Sequence, residues 1–162
     1  MLEFVYGHDD EVARFVAQFA HGAVDARTFG RCKTIGVIDE SGLLIAGVVY
    51  FNYKPEAQTI EMGAAAITRR WFNRSTYRRI FEYPFLEARC QMLIAHIRAD
   101  NEYLLTQFAR MNFDHTLVPR MYGRDADGVL CTLTDDQWLE SGLTKRIYGG
   151  RLPGLEELED AA

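Results

Sequence analysis

The sequence has 162 residues, 48% of them hydrophobic, and a formal net charge of −5. A chain of this length buries roughly 70% of its unfolded surface, so it can fold around one core without a metal or a disulfide. Its three cysteines, Cys32, Cys90 and Cys131, are odd in number and far apart, which argues against a disulfide framework or a cysteine metal site. The acidic balance argues against a general nucleic-acid binder.

The apolar segments are too short to cross a membrane. The longest, residues 43–51, has the length of a strand and falls well short of the roughly 20 residues that span a bilayer. Residues 1–6 lack the basic segment and apolar run of a secretion signal. These patterns predict a reduced, cytoplasmic protein with no membrane partner.

Charge is unevenly distributed along the chain. Residues 69–98 contain seven arginines and only two acids, Glu82 and Glu87, whereas residues 151–162 are strongly acidic. The arginine cluster indicates either a local anionic ligand or a solvated helix face. No repeat or low-complexity linker interrupts the chain, so we predict a single domain over residues 1–150 and an acidic, mobile tail over residues 151–162.

The first half of the chain predicts one helix among four strands. Residues 1–6 form a short strand in this interpretation. Asp9 can cap a helix whose apolar face is Val12, Phe15, Val16 and Phe19. After a loop containing Gly22 and Gly30, three meandering strands are expected at 34–38, 43–53 and 59–68.

The second half alternates helices and strands. The apolar spacing of residues 77–88 predicts a helix, with Pro84 as a kink or an early stop. A strand at 92–97, a helix opened by Asp100 and Asn101, and strands at 115–121 and 129–133 follow, before a short helix with Thr134 as its N-cap. The order β-α-β-β-β-α-β-α-β-β predicts a mixed α/β sheet with helices on both faces and a ligand crevice where the parallel crossover begins.

Three features carry a family resemblance. Residues 59–68 are similar to a strand that leads into a cofactor loop. Asn101 is followed after seven residues by an aromatic residue, Phe108, and then by a short basic segment that ends at Phe113. Together with the order of elements, these features resemble the GNAT superfamily of acyl-CoA-dependent N-acyltransferases. A GNAT-like group from tailed phages and prophages is similar over about residues 29–138, through 35–37, 44–50, Trp71, Arg74, 81–85, 120–124, 127–128 and Trp138.

The resemblance implies a reaction and a base. It implies transfer of an acetyl group from acetyl-CoA, or another short acyl-CoA, to a primary amine by direct attack. Glu61 matches the general base of histone-type members, although a solvated or arginine-paired carboxylate is the alternative. The strand and loop backbone at Ala66, Ile67 and Thr68 would bind the pantetheine arm and polarise the thioester carbonyl.

The resemblance also implies a phosphate site, with departures from the family pattern. Arg74, Ser75 and Thr76 would hold the pyrophosphate at a helix N-terminus, although this loop lacks the family's glycines. Asn101 would fix the pantetheine arm, and Phe108 replaces the tyrosine that protonates the leaving thiolate. A GNAT-fold binding or structural protein without catalysis is therefore the alternative function.

Other residues have simpler interpretations. His96 lies in an apolar segment and is expected to be a core histidine, and Cys90 and Cys131 are expected to be buried and inert. Trp71 is expected to anchor the loop that precedes Arg74. The acceptor is an amine, on a small molecule or a protein, that the sequence leaves open, and a homodimer is possible.

Overall fold

The computed structural model describes residues 1–20 and 25–151 of the chain. The strands are β1 (Glu3–Val5), β2 (Cys32–Ile38), β3 (Leu44–Lys54), β4 (Thr59–Ala66), β5 (Met92–Arg98), β6 (Asp114–Val118) and β7 (Gly128–Thr134). The helices are α1 (Asp9–Phe19), α2 (Arg74–Glu82), α3 (Glu102–Arg110), α4 (Asp135–Glu140) and α5 (Gly142–Tyr148). Short 3-10 turns occupy Ala26–Phe29 and Arg69–Trp71, and a π-helical turn occupies Tyr83–Glu87.

One seven-stranded sheet organises these elements, in the order β1-β2-β3-β4-β5-β7-β6. Every neighbouring pair is antiparallel except β4 and β5, which are parallel and joined by α2. Such a parallel pair needs a crossover connection, and the helical stripe between the two strands supplies it. The predicted mixed α/β architecture and its order of elements are confirmed.

Helix α1 covers the β2–β4 part of one sheet face. Its buried residues Val12 and Val16 pack on Val49 and Ala65 in one apolar cluster. A Cβ atom on Gly47 would lie 2.8 Å from Val12 Cγ1 and 3.0 Å from Val16 Cγ2. The glycine is therefore needed because the helix lies so close to the strand.

The other sheet face carries the larger core and the remaining α-helices. Residues from α2, α3, α4 and α5 pack there against β3, β4, β5 and β7. At the end of α2, Pro84 has no N–H to offer the carbonyl of Ile80, one helical turn earlier. The buried hydroxyl of Tyr50 donates to that carbonyl instead, at 2.5 Å. The α-helical part thus ends just before Pro84, where a kink or an early stop was predicted, and the chain continues directly into a wide π turn.

Two expectations about the helices are corrected. Asp9 is the first residue of α1, which begins after His8, and does not cap it. Its carboxylate instead accepts hydrogen bonds from the amide and hydroxyl of Thr34, both at 2.9 Å, and so ties α1 to β2. Helix α5 was not predicted as a separate element.

Gly22 and residues 152–162, most of the predicted tail, lie outside the described residues.

The helices of the described residues are all too short or too polar to cross a membrane.

Candidate functional site

The parallel strands β4 and β5 separate from each other part-way along their length. Their pairing covers only Thr59 with Met92, Ile60 with Leu93 and Glu61 with Ile94. Beyond Glu61, β4 continues beside β3 and β5 continues beside β7. A wedge therefore opens in the sheet towards the carboxyl ends of both strands, which is where α/β sheets commonly bind ligands.

The β4 wall of this wedge presents backbone amides. Ile67 donates its N–H to the carbonyl of Ile45 on β3, at 2.9 Å. Backbone groups alternate in direction along an antiparallel pair, so the N–H groups of Ala66 and Ala64 point away from β3 and into the wedge. Their small side chains leave space beside them. The wedge thus contains hydrogen-bond donors that a bound amide or a developing oxyanion could use.

Glu61 lies where the wedge closes. Its side chain is 19% exposed, and Asn52 Nδ2 donates a hydrogen bond of 3.0 Å to its Oε2 atom. Asn52 has a left-handed backbone, with φ of 50°, at the irregularity in the β3–β4 pairing. The local bulge directs the amide at the carboxylate. Glu61 is therefore a fixed, half-buried carboxylate, and within residues 1–20 and 25–151 its side-chain neighbours are Asn52 and His96 rather than an arginine.

Helix α2 begins a few residues after β4 ends, so its N-terminus lies beyond the wedge. Asn73 caps the helix, because its Oδ1 accepts the N–H of Thr76 at 3.0 Å. The Thr76 hydroxyl donates to the carbonyl of Trp71 at 2.6 Å, and Thr76 is 1% exposed. The amides of Arg74 and Ser75 remain at the positive end of the helix, where they can bind an anion.

A hollow of about 260 Å³ adjoins this helix end, lined by Phe72, Asn73, Arg74, Tyr77, Leu143, Arg146 and Ile147. A second hollow of about 360 Å³ shares Phe72, Leu143 and Arg146 with it and adds Arg110 from α3. Arginines from three helices therefore line one continuous region. Cationic walls beside an aromatic ring suit an anionic ligand that also carries an aromatic or apolar group.

Helix α5 forms one side of that region and is tied directly to α2. The guanidinium of Arg74 donates to the carbonyl of Ile147. Tyr77 and Thr144 share a buried hydrogen bond of 2.8 Å between their hydroxyls. Tyr148 donates to Glu82 at 2.8 Å further along. Part of the hydrogen-bonding capacity of Arg74 is therefore used within the protein.

Comparisons with solved structures identify the architecture. The spermidine/spermine N-acetyltransferase SpeG of Vibrio cholerae matches with a TM-score of 0.70 at 13% identity, over 88% of this chain and 99% of that chain. A candidate acetyltransferase from Acinetobacter baylyi matches with a TM-score of 0.66 at 14% identity, over 84% and 94% of the two chains. No family model matches the sequence, and no curated protein matches it.

The chain has the GNAT acetyltransferase fold.

The predicted GNAT contacts fall into two groups in the structure. Glu61, Ala66 and Ile67 lie along β4 and its end, and Thr68 caps the 3-10 turn that follows, accepting from Arg70 N at 3.3 Å. Arg74, Ser75 and Thr76 form the first turn of α2. Of the latter three, Ser75 is exposed, whereas the Thr76 hydroxyl is used within the protein.

The two other predicted contacts, Asn101 and Phe108, belong to α3 and have different surroundings. Asn101 is the N-cap, and its Oδ1 accepts the N–H of Leu104 at 3.2 Å, so its amide nitrogen is the group left to donate to a ligand. Phe108 is 7% exposed and packs on Phe113 with ring centroids 4.5 Å apart. Phe108 is thus mainly a core residue, and its contact with a cofactor stays a prediction.

One prediction beside the wedge is wrong. The side chain of His96 is 44% exposed, and its Nε2 atom lies 3.9 Å from Glu61 Oε1. Its chain neighbours Ala95 and Ile97 belong to the opposite, core-facing side of β5, because side chains alternate along a strand. Because Met92 and Ile94 on the same face as His96 are also apolar, the sequence carried no alternation signal for this exposure.

Sequence reasoning also missed Asn52 and Asn73, which position Glu61 and cap α2. Asparagine at a strand irregularity and before a helix is a local signal for such roles.

The structure gives no support for catalysis by Cys90 or Cys131, or for a metal ion held by the described residues. Cys90 and Cys131 are buried as predicted, at 2% and 0% exposure. Burial raises the pKa of both thiols above its ordinary value, that of Cys131 to about 11. A protonated thiol is a poor nucleophile. Within residues 1–20 and 25–151, no three His, Cys, Asp or Glu side chains are placed to hold a metal ion.

Proposed function

We propose that the protein transfers an acetyl group from acetyl-CoA, or another short acyl group from its CoA thioester, to a primary amine. The observation that supports this best is the wedge between β4 and β5, with strand amides that point into it from one wall and the Glu61 carboxylate where it closes. Donors for a carbonyl oxygen and an acceptor for an ammonium proton are the two groups that acyl transfer to an amine requires.

Glu61 is the base in this proposal. It takes a proton from the acceptor's ammonium group, directly or through one water, and the free amine then attacks the thioester carbonyl. General-base assistance of this kind is typically worth roughly 10²–10⁴-fold in rate. The N–H groups of Ala64 and Ala66 stabilise the negative charge that develops on the carbonyl oxygen.

The N-terminus of α2 binds the pyrophosphate of the acyl-CoA in this proposal. The amides of Arg74 and Ser75, the Ser75 hydroxyl and the Arg74 guanidinium supply the donors, and the helix dipole adds to the attraction. Because Arg74 also donates to Ile147, its side chain would bridge α5 and the phosphate. The side-chain amide of Asn101 contacts the pantetheine arm.

The acceptor belongs to the class of primary amines. Polyamines are the first members to test, because structurally similar enzymes from Vibrio cholerae acetylate spermidine and a half-buried carboxylate suits a cationic substrate. Amino sugars, lysine side chains and protein N-termini are the other members. We include in the proposal that residues 1–150 act as one catalytic unit in the cytoplasm, alone or as a homodimer.

Calorimetric titration with acetyl-CoA tests the first half of the proposal. Micromolar binding is expected, and absence of binding at millimolar acetyl-CoA would overturn it. Mass spectrometry of spermidine, glucosamine and a lysine-containing peptide after incubation with acetyl-CoA tests the second half. A mass increase of one acetyl group on at least one amine is expected.

A GNAT-fold binding protein without catalysis is the second candidate. It is favoured by the internal engagement of Arg74 and by the burial of Phe108 in place of a phenol near the thioester. Acetyl-CoA binding without acetylation of any amine in the same assays would favour this candidate over the enzyme.

A further inference from the structure

His96 and Glu61 form a pair that the order of residues in the chain does not reveal. Glu61 is on β4 and His96 is on β5, 35 positions later. Glu61 is opposite Ile94 in the last pair before the strands separate, so His96, two residues further, lies on the same sheet face. Its Nε2 atom is 3.9 Å from Glu61 Oε1.

The two oxygens of Glu61 have different neighbours. Asn52 donates a hydrogen bond to Oε2 and so fixes the plane of the carboxylate. Oε1 faces the imidazole of His96 across a gap that a small rotation of either side chain closes to hydrogen-bonding distance. One oxygen is thus held in place while the other can exchange a proton.

We propose that His96 carries the proton taken up by Glu61 from the closed end of the wedge to bulk water. This inference rests on the proposed acyl transfer and assigns that reaction a second residue, which acts through Glu61 without touching the substrate. The Glu61 side chain is only 19% exposed, whereas that of His96 is 44% exposed. Imidazole exchanges protons readily near neutral pH, so it suits a relay between a sheltered base and solvent.

Two charged groups near His96 on this sheet face have partners of their own. Arg98, two residues beyond His96, is 3.0 Å from Asp100. Asp114 on β6 accepts from Gln137 Nε2 at 2.8 Å. Helix α1 covers β2 to β4 on this face, and the β5 position of His96 lies beside that covered part. Glu61 is therefore the carboxylate that His96 meets across the wedge.

The proton balance of the reaction requires a route by which one proton leaves the site for solvent. An acceptor ammonium loses two protons as its nitrogen forms the N–C bond and the C–S bond breaks. One proton ends on the CoA sulfur as the thiol, and one is released to solvent. Glu61 takes the released proton first and must lose it before the next turnover. His96 accepts it at Nε2 and passes it to water.

The test is His96→Ala, assayed with the amine most rapidly acetylated in the panel above. We expect kcat to fall about 10-fold, less than for loss of the base itself. The KM for the amine and the affinity for acetyl-CoA should not change, because His96 contacts neither. Free imidazole in the buffer should restore kcat, since it can reach an exposed position and accept the proton. An unchanged kcat, or a loss that imidazole does not restore, would overturn the proposal.

His115→Ala is the matched control. His115 is an exposed histidine on the edge strand β6, opposite Cys131 and therefore on the other sheet face. This variant should keep full activity and show no response to imidazole. An equal loss in both variants would mean that a general effect of removing a surface histidine, and not the relay, explains the result.

A measurement without substrate keeps the relay separate from the acetyltransferase proposal. In NMR spectra the imidazole signals of His96, assigned from the His96→Ala variant, should move in Glu61→Gln while those of His115 stay in place. Failure of wild-type protein to bind acetyl-CoA would sink the acetyltransferase proposal. Unmoved His96 signals would sink the relay, whatever the outcome of the activity assays.

Discussion

Glu61 is defined by its surroundings more than by its position in the sequence. Its carboxylate is half-buried, held by Asn52 and adjacent to His96. A residue that only solvated the strand would not need a dedicated amide donor. The interpretation of Glu61 as a base remains a prediction, and a conservative substitution distinguishes it from a packing role.

In Glu61→Gln the side chain keeps its size and can still pair with Asn52, but it cannot accept a proton at neutral pH. We expect acetyl transfer to fall by roughly 10²–10⁴-fold, with acetyl-CoA affinity near wild type. The loss should shrink from pH 6 to 9, because free amine becomes available without a base. Steady-state kinetics across this range are the measurement.

Glu56→Gln is the control for that experiment, because Glu56 is exposed in the turn between β3 and β4. It should retain the wild-type rate at every pH. A Glu61→Gln enzyme that also retains full rate would show that positioning and oxyanion stabilisation suffice.

The cysteines allow a second test at the residue level. Burial raises the pKa of Cys131 to about 11, and it also raises the pKa of Cys90. Because the thiolate forms only as the pH approaches the pKa, Cys131 should stay largely protonated at about pH 9. We expect iodoacetamide to modify half-buried Cys32 first and the other two only after unfolding in urea, as measured by peptide mass spectrometry. Rapid modification of Cys131 in the folded protein would contradict its place in the core.

Among the elements, α2 and α5 act as a connected pair. The N-terminus of α2 adjoins a hollow that α5 also lines, and α5 is held beside it through Arg74 and Tyr77. Any ligand bound at the end of α2 therefore meets groups from both helices. In the proposed function Arg74 has two tasks, the contact with the phosphate and the tie to α5, and two variants can separate them.

Arg74→Ala removes the proposed phosphate contact and one tie to α5. We expect acetyl-CoA binding to weaken by roughly 1.5–3 kcal/mol, the usual range for a hydrogen bond to a charged group. Calorimetric titration measures this change.

Tyr77→Phe is the matched variant, because it removes the buried hydrogen bond to Thr144 and keeps the arginine. It should cost about 1 kcal/mol in the free energy of unfolding with little effect on acetyl-CoA affinity. Equal weakening of binding in the two variants would show that Arg74 acts only by holding α5.

At the scale of the whole molecule, the sheet separates two layers of packed side chains. One face holds the large aromatic core under α2 to α5, and the other holds α1 at close range. The wedge between β4 and β5 is in the middle of the sheet, so both layers position its walls. Loosening of either layer should therefore affect the site as well as the stability.

Gly47→Ala tests the close approach of α1. A Cβ atom there would lie 2.8 Å from Val12 Cγ1 and 3.0 Å from Val16 Cγ2, both on a packed helix. We expect a loss of roughly 1–3 kcal/mol in stability, typical of an overpacked core. Urea denaturation measures the change.

Gly63→Ala, on the neighbouring strand, provides the comparison. The nearest atom to its added Cβ is Phe29 Cε1 at 3.7 Å, an ordinary contact. This variant should be tolerated. If both variants are equally stable, α1 is held less tightly than the structure indicates.

Local features were predictable because neighbouring residues create them. Thr134 caps α4 in a reciprocal capping box with Gln137, as the residue types indicate. The strands β2, β3 and β4 follow from β-branched runs and the turn residues between them. The order of these elements was sufficient to predict the mixed α/β fold and to place Glu61 on β4. It could not distinguish an exposed His96 from a buried one.

The sequence by itself therefore determined the strands, the helices other than α5, their order and the residue types along β4 and the start of α2. Tertiary structure decided what lies next to them. Only the β4–β5 separation places His96 beside Glu61, and only the packing of α5 on α2 brings Ile147 to Arg74. The reason is physical: spacing along a chain fixes which residues share a helix or strand face, whereas contacts between distant segments depend on how whole elements pack.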